Sequence, residues 1–161
     1  MPTATVASSQ DAVVSEIEVA ASPERVFQAL TDAKQLIHWW GEQDACKATV
    51  WEMGARPGGK WRFAASDPTG KLVVNNVRDF KAHGEILEFD PPHALAYTWI
   101  ANWHDDPAQR TVVRWELTPS GKGTKVKVTH SGLAQLPVAR KDYTGGWPGV
   151  VELLKQFVEK Q

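Results

Sequence analysis

A chain of 161 residues with 42% hydrophobic and 23% charged residues has the composition of one globular domain, which excludes disorder over most of its length. Its formal net charge of −1 offers no basic excess for nucleic acid, and no apolar run approaches the ~20 residues of a bilayer span. Cys46 is the single cysteine, so an internal disulfide is excluded and a cytoplasmic location is expected.

Residues 1–11 are small and polar, without basic residues or an apolar run, and predict a frayed tail ahead of a single domain over 12–161. Alternation from Ala12 to Ala20 predicts a strand with Ile17 and Val19 inward. Ser22-Pro23-Glu24 supplies a capping hydroxyl, a proline at the first helical position and an acid in the first turn, so a short helix follows. Asp32 can cap a second helix carrying Leu36, Trp39 and Trp40 on one face, with Gly41 as its stop. With almost no linker between them, the two helices are expected to form a V.

From Ala45 to Ser131 the period changes to two, punctuated by glycine and proline. Ala48, Val50 and Glu52 share a face of one strand. After the Arg56-Pro57-Gly58-Gly59 turn, Trp61, Phe63 and Ala65 share a face of the next. Asp67-Pro68-Thr69-Gly70 predicts a turn, then strands over Leu72 to Phe80 and Gly84 to Phe89. Leu95, Tyr97 and Trp99 alternate in the following strand, and residues 102–108 read as a polar loop in which Trp103 would be exposed and His104-Asp105-Asp106 solvated. Val113, Trp115 and Leu117, and then Val126, Val128 and His130, mark two further strands. Trp147, Val150, Val151, Leu154, Phe157 and Val158 form an apolar stripe at helical spacing. That helix starts near Thr144, or near Val138 with a kink at Pro148. Strands in series followed by a long amphipathic helix predict an α+β fold in which a curved antiparallel sheet wraps the final helix.

Five motifs occur in a characteristic order: Pro23-Glu24-Arg25-Val26-Phe27 with Leu36-Ile37-His38-Trp39-Trp40-Gly41; Arg56-Pro57-Gly58-Gly59-Lys60-Trp61; Leu95-Ala96-Tyr97-Thr98-Trp99; the strand ending His130-Ser131-Gly132; and Gly146-Trp147. Together they resemble the START and birch-pollen-allergen (SRPBCC) superfamily, in the branch homologous to the C-terminal domain of the ATPase activator of the 90-kDa heat-shock protein. The resemblance covers about residues 12 to 160. It implies a helix-grip fold and, in many members, a hydrophobic small molecule held between sheet and terminal helix. It does not imply one activity.

The chain holds 8 Trp, against 5 Phe and 2 Tyr. On the expected fold, Trp40, Trp61, Phe63, Tyr97 and Trp99 line the interior from one side. Trp115, His130, Trp147, Val151 and Leu154 line it from the other. An aromatic wall with one or two polar groups is the usual composition of a small-molecule pocket, and a fully filled interior is the alternative. His130 is the one catalytic candidate, as a general base or as the partner of a ligand's polar tip. Glu52 would be an inward acid. Arg56 reads as structural beside turn glycines. Neither the five histidines nor Cys46 shows metal-ligand spacing, and no metal or cofactor is expected. Three functional readings remain open: a binding module for an apolar or aromatic small molecule; a chaperone-activator-like module with a protein partner or a second copy; and a cyclase- or hydrolase-type enzyme using His130.

Overall fold

The computed structural model describes residues 5–8, 11–40, 47–67 and 73–160. Gly41, Cys46, Pro68-Thr69-Gly70 and Leu72 lie outside them. The segment expected to fray contributes an edge strand, β1 (Thr5–Ser8), paired with β2 (Val13–Val19) from Thr5↔Glu16 to Ser8↔Val13. Pairing to a neighbouring strand supplies the order that its small, polar composition does not signal.

In β2, Val13, Ser15, Ile17 and Val19 point inward. The helix α1 (Pro23–Thr31) starts where the Ser22 hydroxyl accepts the Arg25 N–H at 3.2 Å. The helix α2 (Ala33–Trp39) starts where Asp32 accepts the Lys34 N–H at 3.0 Å. One residue thus ends the first helix and caps the second.

The strand β3 (Lys47–Met53) corrects the expected parity. A bulge between Ala48 and Val50 shifts the register, so Trp51 turns inward and Glu52 turns to solvent. There Glu52 pairs with Arg62 of β4 (Lys60–Ser66) at 2.9 Å, and the guanidinium holds its carboxyl below the usual range. Gly58 takes a positive φ of 77° in the connecting turn.

The two strands expected from Leu72 to Phe89 are also corrected. Asn75 and Asn76 both adopt positive φ, closing a tight turn bridged by Val74 and Val77. One long strand, β5 (Asp79–Asp90), then runs straight through Gly84. The strands β6 (Ala94–Ala101), β7 (Thr111–Ser120) and β8 (Gly123–Ser131) follow as the alternation predicts.

All neighbours are antiparallel, in the order β1-β2-β8-β7-β6-β5-β4-β3. The sheet curls around α3 (Pro137–Glu159), with α2 against β3 and α1 against α2, α3 and β7. This is the helix-grip architecture.

The earlier start of α3 has a local cause. Asp105 accepts the N–H groups of Val138 and Ala139 at 3.0 and 2.9 Å, and Pro137 lies at the entry. Pro148 sits inside the helix, where it has no N–H to donate to the Thr144 carbonyl.

Candidate functional site

All eight tryptophans are buried, Trp103 included. They divide into a packed cluster and the wall of a cleft.

The cluster is built around Trp40, at the end of α2. Its ring stacks on Trp39 at 5.3 Å and meets Trp51 at 5.0 Å, Trp147 at 5.7 Å and Trp115 at 6.4 Å, centroid to centroid. Trp61 and Trp99 approach to 4.7 Å. Most of these indoles find an acceptor. Trp39 donates to the Ala29 carbonyl, Trp61 to the Thr98 carbonyl and Trp115 to the Tyr97 hydroxyl, at 2.8–2.9 Å. Tyr97, buried beside them, is held as a neutral phenol because burial pushes its pKa well above the ordinary tyrosine range.

His130 lies deeper still and is fully buried. Its hydrogen bonds assign its tautomer. The Thr111 hydroxyl donates to the Trp99 carbonyl at 2.8 Å, so its oxygen accepts from His130 Nε2 at 2.7 Å. His130 Nδ1 in turn accepts the Trp147 indole N–H at 3.2 Å. Both ring nitrogens are engaged, and burial together with the nearby His104 depresses the basicity of the ring. Neither ring nitrogen is left free for a general base. The lone pair of His130 is taken by an indole of the terminal helix, and the ring ties β7, β8 and α3 together.

The loop after β6 also departs from expectation. Trp103 and His104 fold inward, and His104 Nε2 lies 2.7 Å from the Tyr143 hydroxyl of α3. The Trp99 and Trp103 indoles flank the same oxygen, though the Trp99 N–H does not complete a hydrogen bond. The His104 tautomer sets which of the two donates across this contact. Desolvation lowers the His104 pKa to about 4 and raises that of Tyr143, so both groups are neutral at pH 7.

Beside this packed interior a cleft of about 260 Å³ remains open. Trp40, Trp99, Trp103 and Trp147 form its inner wall. Phe63 of β4, Phe80 of β5 and Val74 of the asparagine turn form one flank, and Asp142, Tyr143, Gly146 and Val150 of α3 form the other. Of the residues expected to line the interior, Trp40, Phe63, Trp99 and Trp147 meet at this cleft. Trp61, Tyr97, Trp115, His130, Val151 and Leu154 are buried and do not line it.

Sequence reasoning missed Asp142, Tyr143, Gly146, Phe80 and Trp103 as wall residues. The signal for three of them was present. Asp142, Gly146 and Val150 repeat at i, i+4, i+8, and Tyr143 precedes Trp147 by four, once α3 begins at Pro137 rather than Thr144. Asp142 is an exposed residue of this wall, yet its apolar surroundings desolvate the carboxyl enough to push its pKa up. Among the described residues no group of three or more His, Cys, Asp or Glu could hold a metal ion, and no helix is long and apolar enough to cross a membrane.

The family pattern described as Activator of Hsp90 ATPase homolog 1-like protein matches residues 20–159. No curated protein matches the sequence. Solved structures share the fold. A protein from Rhodobacter sphaeroides is 20% identical with a TM-score of 0.80, covering 99% of both chains. One from Mycobacterium smegmatis is 19% identical with a TM-score of 0.76, over 99% of this chain and 96% of its own. One from Mesorhizobium loti is 27% identical with a TM-score of 0.70, over 93% of this chain and 98% of its own.

Proposed function

The chain belongs to the family of Activator of Hsp90 ATPase homolog 1-like proteins, and from its helix-grip fold we propose that it binds a small apolar molecule of one or two rings in the cleft beside α3. The observation that carries this reading is an open apolar space walled by seven aromatic side chains inside an otherwise packed interior. Burying apolar surface there gains roughly 25 cal/mol per Å², and a preformed wall needs no reordering on binding. The volume of about 260 Å³ lies just below the ~300–1,000 Å³ typical of ligand sites, which limits the size of the guest. Engagement of both His130 nitrogens favours binding over acid–base chemistry at that residue.

Gly146 keeps the cleft open. It lines the wall without a side chain, and a Cβ built there meets nothing within 4 Å. Leucine at this position would grow into the space that the guest needs, without clashing at the backbone. It would also raise helix propensity relative to glycine by roughly 0.5–1 kcal/mol. Titration with 2-naphthol should quench the tryptophan fluorescence saturably in the wild type. In Gly146→Leu the affinity should fall by about tenfold or more while the melting temperature holds or rises. Equal affinity in the two proteins would place the naphthol elsewhere.

A further inference from the structure

We propose that the cleft selects organic cations, an aryl or alkyl ammonium seated among the rings of Trp40, Trp99, Trp103, Tyr143 and Trp147 with the Asp142 carboxylate beside its charge. This rests on the reading of the cleft as a ligand site and adds the chemical class of the guest.

The wall has the composition that such a guest requires. Seven of its residues are aromatic, and four of those are tryptophan, whose ring face attracts a cation most strongly. Among the described residues, the ionisable side chains on the wall are Asp142 and Tyr143, with no lysine, arginine or histidine. Tyr143 carries no charge at pH 7, since burial raises its pKa well above the ordinary tyrosine range. The fixed charge that the described residues place on the wall is therefore one carboxylate.

Ring quadrupoles and carboxylate act in the same direction, favouring a cation and disfavouring an anion. Among the described residues Asp142 also lacks the counterion that a bound cation would supply. The apolar wall desolvates it. By contrast, Glu52, Glu85 and Glu88 are each paired with a lysine or arginine on the sheet surface. An ammonium beside Asp142 would offset the desolvation that the wall imposes, while its apolar body occupies the interior of the cleft.

Three probes of nearly one shape separate charge from fit: benzylamine, cationic at pH 7.5, neutral benzyl alcohol, and anionic benzoate. Calorimetric titration should show benzylamine binding about tenfold more tightly than benzyl alcohol, with benzoate weakest. In Asp142→Asn, the preference for benzylamine over benzyl alcohol should shrink from about tenfold to within about threefold. Benzyl alcohol or benzoate binding as tightly as benzylamine, or an undiminished preference in Asp142→Asn, overturns cation selectivity and leaves the cleft a general apolar site. Failure of all three probes to bind overturns the cleft as a ligand site, and the cation proposal with it.

Discussion

Gly84→Ala should be among the most damaging single-methyl changes in the protein, lowering stability by about 3 kcal/mol and the melting temperature by roughly 6–12 °C. Gly84 lies in the middle of β5, where a Cβ would sit 1.8 Å from the Thr98 carbonyl oxygen and 2.6 Å from Trp61 Nε1. Those two atoms are hydrogen-bonded to each other at 2.8 Å. At this point the β5–β6 ladder gives up a carbonyl to an indole, and the Glu85 N–H turns instead to the Thr98 hydroxyl at 2.9 Å. Neither atom can retreat cheaply. One is backbone of a paired strand, and the other belongs to a ring wedged against Trp51, Tyr97 and Trp99. A side chain at Gly84 would push the indole out of the aromatic cluster. Gly145→Ala is the matched control. It lies on an exposed turn of α3 with nothing within 4 Å of a new Cβ, and should gain roughly 0.5–1 kcal/mol. Thermal melts of the two variants check both signs. Equal, small effects would mean that the indole does not sit over the strand as described.

Acid should weaken the fold well before the surface carboxylates titrate. His104 and His130 are buried and neutral, with ring centroids 6.3 Å apart, and both lose basicity on folding. Folding a histidine into a state that resists protonation means that the unfolded chain binds more protons below its pKa of 6.5. Stability is therefore complete above about pH 6.5 and falls as pH drops through the interval down to the folded value. For His104 that value is about 4, so at about 1.4 kcal/mol per pH unit this residue alone removes about 3 kcal/mol by pH 4. His130 adds a loss of the same sign. Asp105, beside His104, raises the His104 pKa slightly and limits the loss without reversing it. Urea unfolding at intervals from pH 7.5 to pH 4.5 measures this slope. In His104→Asn the drop should shrink by the share assigned to His104. A stability independent of pH between 7 and 5 would contradict two buried neutral histidines.

The parts legible in the sequence are those fixed by local chemistry. Ser22 and Asp32 announce their helices because a short oxygen before an apolar period is a cap, and both make the expected bond. Trp61 and Phe63, Leu95 to Trp99, and Val126 to His130 reveal their inward face by simple alternation. What the sequence concealed arises from non-local geometry. The bulge in β3 reverses parity, which exchanges Trp51 for Glu52, and nothing in the residues around Thr49 marks it. Gly84 looks like a strand start because glycine often punctuates, whereas here it makes room for an indole from the neighbouring strand. Trp103 and His104 sit among polar residues and read as solvated, yet Tyr143 of α3 supplies the partner that draws them in. The candidate site was half visible for the same reason. Four of its rings were named from alternation and helical spacing, but which indoles touch and which leave a gap depends on the curl of the sheet.

The most direct measurement follows the eight indole N–H signals by ¹⁵N–¹H correlation NMR during titration with benzyl alcohol, a neutral probe. The signals of Trp40, Trp99, Trp103 and Trp147, which wall the cleft, should move together with one dissociation constant. Those of Trp61 and Trp115, sealed in the packed core, should hold their positions. Movement of Trp61 and Trp115 in step with the others, or no movement anywhere, would contradict an interior divided into a filled aromatic core and an open ligand cleft.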